Sequence, residues 1–202
     1  KVPEPQRLIL VNPQIVPEQY FDLRTARNGA YHGYPPVGLL YLAAAAKEVR
    51  PQLDVKVIDL NYEILRRSQS DDFSYQVWQD LLSEEIQRCD ATHVGVTYMF
   101  GTSKETFVNA CRYIREVFPD VPILAGGVQA TYDYKEILED GLCDFVVRNE
   151  GELQLKAFLE SCVAQQPVTV PWGSAFTLGG QIYELGESQK DVPMDWDIRP
   201  FY

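Results

Sequence analysis

Short apolar runs alternate along this chain with longer stretches of helical periodicity, and this alternation constrains the fold more than any other feature. A short apolar run with turn residues at both ends is typical of a strand buried on both faces of a parallel sheet. The runs predict five strands, at Arg7–Val11, Asp54–Leu60, His93–Tyr98, Val121–Ala125 and Cys143–Val147. The stretches between them predict helices at Val37–Val49, Ser74–Cys89, Thr102–Phe118 with Thr102 as the N-cap, Tyr132–Glu139 and Glu150–Val163. This order indicates an α/β fold, a parallel sheet with helices on both faces.

The connections between the strands restrict their order in the sheet. Right-handed crossovers leave few topologies, and for a chain of 202 residues they favour the flavodoxin-like (Rossmann-like) order 2-1-3-4-5. In a five-stranded parallel sheet of this kind, the carboxyl ends of all strands lie on one rim. The rim would carry the loops at Asn12, Asp59, Thr97, Gly126 and Arg148.

The pattern changes after Gln166. Gly173–Leu178 and Gln181–Leu185, joined by two glycines, predict a β-hairpin. Residues 191–202 are acidic, aromatic and interrupted by prolines, which indicates a linker tail toward a further domain. We therefore expect an α/β domain at residues 1–166 and a hairpin with its linker at residues 167–202.

Two consecutive glycines, Gly126 and Gly127, follow the fourth strand at the rim. Glycines here remove two Cβ atoms at the place where a ligand of an α/β sheet would lie. Taken alone, the stretch favours a simpler interpretation, a tight turn between a strand and a helix. The other residues of the rim have to decide between the two interpretations.

The side chains at the rim are mostly small or uncharged, and the sequence lacks the usual catalytic sets. Thr97 offers a hydroxyl and Gln129 an amide, whereas the two histidines, His32 and His93, lie in a loop and at the start of a strand. Neither a Gly-x4-Gly-Lys-Ser/Thr loop nor a Gly-x-Gly-x-x-Gly fingerprint is present. The acidic stretch around Glu150 is explained equally well by the dipole of the helix that it begins. Such a rim suits a large neutral ligand, and it favours the glycine pair as an opening for that ligand.

The composition excludes several classes of function. Lys and Arg number 18 against 29 Asp and Glu, and the net charge of -11 argues against a nucleic-acid partner. The longest uncharged apolar run, Val37–Ala46, is too short to span a bilayer. No basic-then-apolar leader precedes the first strand, so we expect a cytoplasmic protein without a membrane partner. The four cysteines match no zinc or redox spacing and predict buried free thiols.

Residues 14–36 show no periodicity but are rich in aromatic residues: Tyr20, Phe21, Tyr31 and Tyr34. A structureless loop of this length inside a compact domain is usually functional or mobile. Its aromatic side chains either cover a sheet edge or wall an apolar ligand, and the sequence leaves both possibilities open.

Several stretches, in order, resemble the cobalamin-binding domain that precedes the core of one large class of radical S-adenosylmethionine enzymes. They are Asn12-Pro13, Pro35–Ala43, Val57–Asp59, Val94–Thr97, Gly126–Thr131 and Asp144–Glu152. The resemblance rests on the ordered set and its spacings rather than on any single motif. The hairpin and the tail at Trp196–Tyr202 also resemble the lead into the radical core of that class.

The resemblance implies that the chain binds cobalamin. The corrin ring would lie over the rim, and the nucleotide tail would insert beside the sheet between the third and fourth strands. The implied cofactor-binding residues are Asn12, Pro13, Asp59, Thr97, Tyr98, Met99, Gly126, Gly127, Val128, Gln129, Arg148, Asn149, Glu150 and Gly151. No catalytic residue and no protein ligand to a metal is implied.

One departure from related methyltransferases concerns the cobalt ligand. In those of the methionine-synthase kind, an Asp-x-His-x-x-Gly motif after the first strand supplies the lower ligand. Asn12–Pro17 takes that place here and contains no histidine. Base-off binding without a histidine lower ligand is therefore expected, with His32 as the one nearby candidate. Gln129 stands where relatives often carry a histidine in the glycine-pair motif.

The radical core needs a Cys-x3-Cys-x2-Cys motif, which the four cysteines cannot form. The iron–sulfur cluster and S-adenosylmethionine would therefore belong to a part of the parent enzyme outside this sequence. We expect an N-terminal cobalamin-binding module of a methyltransferase or cyclase, with the radical core domain as its partner. Two alternatives stay open, a cofactor-free flavodoxin-like docking domain and a small flavin- or nucleotide-binding protein.

Overall fold

The structure, a computed structural model, describes residues 7–31, 33–163 and 173–185. The strands are β1 (Arg7–Asn12), β2 (Asp54–Asp59), β3 (His93–Thr97), β4 (Ile123–Gly126), β5 (Phe145–Val147), β6 (Ser174–Leu178) and β7 (Gln181–Leu185). They form one sheet of order β2-β1-β3-β4-β5-β6-β7. Strands β1 to β5 run parallel, and the hairpin β6–β7 continues the sheet antiparallel to β5. The predicted α/β fold, the order 2-1-3-4-5 and the hairpin are confirmed.

The helices follow the strands as the periodicity predicts. They are α1 (Leu23–Arg27), α2 (Val37–Val49), α3 (Leu60–Arg67), α4 (Val77–Cys89), α5 (Lys104–Val117), α6 (Val128–Glu139) and α7 (Gly151–Val163), with short 3-10 turns at Glu18–Tyr20 and Gly101–Ser103. Helix α2 has the bounds that the sequence predicts, because two prolines precede it and its apolar face is broad. Within the described ranges, none of the helices combines the length and apolar character that crossing a membrane requires.

Helices α4, α5 and α6 differ from the prediction at their amino ends, and α4 begins at Val77 rather than at Ser74. Helix α6 begins at Val128 rather than at Tyr132, because the positive φ of Gly127 turns the chain directly from β4 into the helix. Helix α5 begins at Lys104, and Ser103 rather than Thr102 takes the N-cap position. The Ser103 hydroxyl donates to the Phe100 carbonyl oxygen at 2.8 Å inside a 3-10 turn, so the predicted capping box at Thr102 is wrong.

Helix α3 was not predicted, since it follows β2 with no connecting loop. Asp59 is both the last residue of β2 and the N-cap of α3, where its carboxylate accepts a hydrogen bond from the Tyr62 amide at 3.2 Å. This helix has too few apolar residues for a helical periodicity to be recognised in the sequence. Its buried face consists of Leu60, Asn61 and Ile64.

Part of the segment at residues 14–36 is also regular. Asp22 caps α1 by accepting a hydrogen bond from the Thr25 amide at 2.6 Å, so the prediction of a structureless segment is wrong there. Phe21 packs on Tyr31, with ring centroids 5.5 Å apart, and against Tyr75 at 5.2 Å. The contact with Tyr75 packs the segment against the turn that precedes α4.

The sheet separates two apolar layers. On one side, strand residues such as Ile9, Val96 and Ile123 pack against α3, α4, α5 and α6 in a continuous buried cluster. On the other side, Leu8, Leu10, Leu124 and Phe145 face α2 and α7. Alternate residues of each strand point to opposite sides of a sheet, which assigns each strand residue to one layer. Only the two helices α2 and α7 cover the second side in the described chain, and this thinner cover leaves room for a cleft.

Candidate functional site: a cleft at the carboxyl edge of the sheet

A cleft of about 630 Å³ opens at the carboxyl edge of the sheet and runs down between the sheet and helices α2 and α7. Concave sites of this volume are typical of ligand pockets, and this edge is where α/β sheets bind their ligands. The sheet residues that line it come from β1, β3, β4 and β5: Leu8, Leu10, Asn12, Gly95, Val96, Thr97, Leu124, Ala125, Gly126 and Val147. The apolar and glycine residues of α2 and α7 that line it are Val37, Gly38, Leu39, Leu42, Gly151 and Leu155.

The cleft is deep along the strand direction. Leu8 lies four residues before Asn12 on β1 and both line the cleft, so at a rise of about 3.3 Å per residue the cleft descends roughly 13 Å. Leu8, Leu10 and Leu124 are buried residues on the sheet side of this deep part. Below the strand ends, every described lining residue is apolar or glycine.

The polar lining residues lie at the mouth. They are Asn12, Tyr34, Thr97, Ser103, Thr131, Tyr132, Asn149, Glu150 and Glu152. The Asn12 side-chain amide donates to Asp59 at 2.9 Å, which ties the ends of β1 and β2 together. The backbone N–H of Asn149 donates to the Thr131 hydroxyl at 2.8 Å, and Asn149 has a left-handed backbone with φ of 64°. The mouth is therefore held by side-chain hydrogen bonds between neighbouring loops.

Large exposed apolar side chains ring the mouth. They are Tyr34, Val37, Met99, Phe100, Val128 and Tyr132, with exposures from 40% for Met99 to 75% for Tyr132. Single exposed apolar residues are ordinary, but several around one cleft mark a binding surface. We name this set the apolar rim.

The glycine pair serves both of the roles that the sequence suggested. Gly127 has φ of 110°, and a Cβ there would lie 2.7 Å from the Tyr98 carbonyl oxygen, so the turn requires glycine. A Cβ on Gly126 would meet Val147 at an ordinary 3.8 Å, so Gly126 is not required by the turn. Both residues line the cleft.

Two other glycines shape the cleft. A Cβ on Gly38, in the first turn of α2, would meet no atom within 4 Å, so its missing side chain leaves open space. A Cβ on Gly95 would lie 2.8 Å from the Leu10 side chain, so Gly95 makes room for Leu10 on the floor of the cleft. Neither residue was among the predicted site residues.

Tyr98 holds the loop after β3 without lining the cleft. Its carbonyl oxygen accepts hydrogen bonds from the amides of Gln129 and Ala130, at 3.0 and 3.2 Å, and so caps the amino end of α6. Its ring is buried, stacks on Phe107 with centroids 4.7 Å apart, and its hydroxyl donates to Asp133 at 3.0 Å. These contacts fix the position of Met99 in the cleft wall.

The structure brings ten of the fourteen predicted residues into one lining. They are Asn12, Pro13, Thr97, Met99, Gly126, Gly127, Val128, Asn149, Glu150 and Gly151. The other four lie beside it. Asp59 accepts a hydrogen bond from Asn12, and the Tyr98 side chain points into the layer on the other side of the sheet. The side-chain amide of Gln129 donates to Asp133 at 3.1 Å. The Arg148 guanidinium lies over the Tyr134 ring at 4.4 Å and 3.6 Å from the Glu184 carboxylate.

The prediction missed the helical walls of the cleft. Leu39, Leu42, Tyr132 and Leu155 all line it. A signal existed for α2, because Gly38 interrupts an otherwise apolar helical run just after two prolines. For Leu155 the sequence carries none, since an apolar residue in an amphipathic helix is normally a core residue. Of the loop aromatics, Tyr34 lines the cleft, whereas Phe21 packs in the aromatic cluster with Tyr31 and Tyr75.

Titratable groups around the site are few. Burial raises the pKa of Asp59, and the hydrogen bond from Asn12 opposes that rise only in part. Burial raises the pKa of the Cys111 and Cys143 thiols, which are free and buried as predicted, so neither is a reactive thiolate. Cys89 is free and half-buried. In the part of the chain that the structure describes, no group of three or more His, Cys, Asp or Glu residues is placed to hold a metal ion.

The family model for the B12-binding domain matches residues 24–159 of this sequence. The chain therefore belongs to the B12-binding domain family, and membership of this family implies cobalamin as the ligand. No curated protein matches the sequence.

Solved structures of larger enzymes contain a similar fold. The radical S-adenosylmethionine methyltransferase TsrM from Kitasatospora setae, with cobalamin and a 4Fe-4S cluster bound, matches at a TM-score of 0.67 and 19% identity over 96% of this chain and 31% of that one. Its structure with tryptophan and an analogue of S-adenosylmethionine matches at a TM-score of 0.66 and 19% identity, over 90% of this chain and 30% of that one. The cobalamin-dependent S-adenosylmethionine radical enzyme OxsB matches at a TM-score of 0.53 and 13% identity, over 90% of this chain and 22% of that one. At these identities the likeness shows the fold, and this chain spans less than a third of each of these proteins.

Proposed function

We propose that this chain binds cobalamin base-off, with the nucleotide tail in the cleft, as the N-terminal module of a radical S-adenosylmethionine methyltransferase or cyclase. The observation that carries the proposal is the shape of the cleft. Its deep part, which is lined by apolar residues and which we call the slot, lies beneath the exposed apolar rim. Cobalamin has a matching shape, since a broad corrin ring carries a long nucleotide tail on one face.

The residues present fit each part of the ligand. The slot descends roughly 13 Å beside the sheet, which is long enough for an aromatic base and part of its linker. The apolar rim offers Tyr132, Val128 and Phe100 as exposed apolar surface for the corrin ring. The amide and hydroxyl groups of Asn12, Thr97 and Asn149 lie at the mouth, where the polar linker of the tail would pass. When bound, cobalamin supplies the cobalt chemistry, which no side chain of the cleft replaces.

The residues after β1 support binding without a histidine ligand. Asn12 is held by Asp59, and Pro13 and Ile15 line the cleft with apolar surface. His93 lies at the amino end of β3, away from the mouth, and its ring packs against Phe158 with centroids 6.1 Å apart. His32, the other candidate that the sequence raised, lies outside the described residues.

The place of this module in a larger enzyme rests on the shared fold. Each similar structure belongs to a radical S-adenosylmethionine enzyme of about three times this length or more, judged by the share of it that this chain covers. We propose that an iron–sulfur cluster and S-adenosylmethionine are bound by a radical core domain that residues 167–202 lead into. The division at residue 166 belongs to the same proposal.

The test is a direct binding experiment on the full chain. The purified protein is mixed with hydroxocobalamin, desalted and examined by visible spectroscopy. We expect cobalamin to be retained with a base-off spectrum. No retention at high micromolar cobalamin would support a cofactor-free docking domain instead, and a yellow colour on purification would support a flavin-binding protein.

A single substitution connects the binding to the cleft. Gly38→Leu places a side chain at the top of the slot, where its Cβ would meet no neighbour within 4 Å. We expect retention to fall by at least about tenfold while the helix becomes more favourable, because leucine has the higher helix propensity. Glu116→Leu, which adds the same side chain to an exposed position of α5 on the other side of the sheet, is the matched control. Equal retention by both variants would show that the ligand does not enter the slot.

A further inference from the structure

We infer that the cleft selects among cobamides by the chemistry of the lower base, accepting benzimidazole or phenolic bases and discriminating against purines. This inference rests on the proposed function and concerns the deepest part of the slot, which the tail would fill.

The walls of the deep slot are hydrocarbon on all sides that the structure describes. The sheet supplies Leu8, Leu10 and Leu124, and the helices supply Leu39 and Leu155, all of which are buried. The backbone amides and carbonyls of these strands are paired in the parallel ladder between β1, β3 and β4. Paired groups of this kind do not offer free hydrogen-bond partners to a ligand.

Polar side chains of the lining stand at or beyond the strand ends. Asn12 and Thr97 are the last residues of β1 and β3, and Thr131 lies in the first turn of α6. Leu8 lies roughly 13 Å below Asn12 along β1, so a base seated at the bottom is beyond reach of these groups.

Two buried polar side chains near this part of the fold, His93 and Gln154 of α7, do not line the slot, although His93 Nε2 and Gln154 Oε1 have no hydrogen-bond partner among the described residues. His93 precedes Gly95 by two residues and points to the same side of the sheet, but it is fully buried against Phe158 and does not line the slot. Its Nδ1 atom lies 3.3 Å from the Thr92 hydroxyl. The floor above it remains apolar.

The consequence for the ligand follows from the cost of burying unpaired polar groups. Adenine as a lower base carries several ring nitrogens and an exocyclic amino group, and each would lose its water in the slot without a replacement. Dimethylbenzimidazole brings one free nitrogen in the base-off form, and a cresol ring brings none. Affinity should therefore fall from cresolyl and dimethylbenzimidazolyl cobamides to the adeninyl cobamide.

The experiment titrates the full chain with four corrinoids and measures binding by isothermal titration calorimetry, because two of them have no coordinating base whose release would change the visible spectrum. These are cobalamin, p-cresolyl cobamide, adeninyl cobamide and cobinamide, which has no base. We expect the cresolyl form to bind within about threefold of cobalamin and the adeninyl form to bind at least about tenfold more weakly, since one unpaired buried group has an effect of that order. Cobinamide should bind more weakly than cobalamin.

The outcomes separate this inference from the proposed function. If cobalamin itself is not bound, the proposed function fails and the inference fails with it. If cobalamin binds but the adeninyl form binds equally well, cobalamin binding stands and the selectivity is overturned. If cobinamide equals cobalamin, the base does not occupy the slot, and the inference is again overturned.

A pair of variants tests whether the slot wall is responsible. Leu42 lines the slot from α2, and Leu42→Gln adds an amide there on a side chain that is one heavy atom longer. We expect the ratio of adeninyl to cobalamin dissociation constants to fall at least about threefold, because the amide can pair with the purine. Leu65→Gln, on α3 at the other side of the sheet, is the matched control and should leave the ratio unchanged. A ratio unaffected by Leu42→Gln would overturn the assignment of selectivity to this wall.

Discussion

The two sides of the sheet in this protein are built from similar residues but packed differently. The side covered by α3, α4, α5 and α6 is a solid layer whose cluster includes fully buried residues such as Phe107 and Ile114. The side covered by α2 and α7 has a leucine-rich lining that surrounds a cleft instead of closing on itself. The difference arises because two helices cannot cover the area that four helices cover opposite. A ligand with apolar surface would complete the thinner layer.

The largest expected contrast is between matched core truncations on the two sides. Ile114→Ala removes a fully buried side chain from the solid layer and should lower the free energy of unfolding by about 2–5 kcal/mol. Leu155→Ala, in the cleft wall, should have about half that effect, because Leu155 already borders open space and loses fewer contacts. Urea denaturation of both variants measures the two values, and equal losses would mean that the cleft side is as tightly packed as the other.

The buried histidine beneath the cleft predicts a pH dependence of stability. Burial lowers the pKa of His93 from 6.5 to about 4 in the folded chain. The unfolded chain binds a proton first as the pH falls, so stability is fully present above pH 6.5 and is lost as the pH falls toward 4. The pKa difference corresponds to a loss of up to about 3 kcal/mol, at about 1.4 kcal/mol per pH unit.

His93→Gln provides the comparison, since glutamine does not titrate in this range. The difference in unfolding free energy between pH 7 and pH 4.5, measured in urea, should be smaller in the variant than in the parent chain. Identical pH profiles for the two proteins would rule out His93 as a source of the acid sensitivity.

Substitution by alanine should have opposite effects on stability at two glycines of the cleft, Gly127 and Gly38. Gly127→Ala should destabilise the chain by roughly 1–3 kcal/mol, because residue 127 has φ of 110° and its Cβ would lie 2.7 Å from a carbonyl oxygen. Thermal unfolding measures this loss. A melting temperature equal to that of the parent would mean that the turn can relax without cost.

The smallest change in stability is expected at Gly38. Gly38→Ala should stabilise the chain by about 0.5–1 kcal/mol, because alanine is the better helix former and its methyl group meets open space. The same variant narrows the slot slightly, so cobalamin affinity and stability should move in opposite directions. A gain in both would place Gly38 outside the binding surface.

Much of the candidate site followed from local sequence patterns. The positions at the strand ends, such as Thr97 and Gly126, could be placed on one rim because parallel strands end at the same edge. The four predicted residues outside the lining lie at the rim as expected, but their side chains point away from the cleft. Packing alone decides the direction of a side chain at the rim. Tyr98 turns toward Phe107 and Asp133, and Arg148 toward Tyr134, although both sit at the correct level of the sheet.

The sequence by itself determined the order of the strands and of the five longest helices, the rim and the turn at Gly127, because hydrophobic periodicity and glycine conformation act over a few residues. Only the tertiary structure decided that a slot exists beneath that rim. Its walls at Leu39, Leu42 and Leu155 belong to helices far apart in the chain, and each wall residue has the sequence pattern of an ordinary core residue. Whether such leucines meet or stay apart depends on the spacing of α2, α7 and the sheet, and no local pattern encodes that distance.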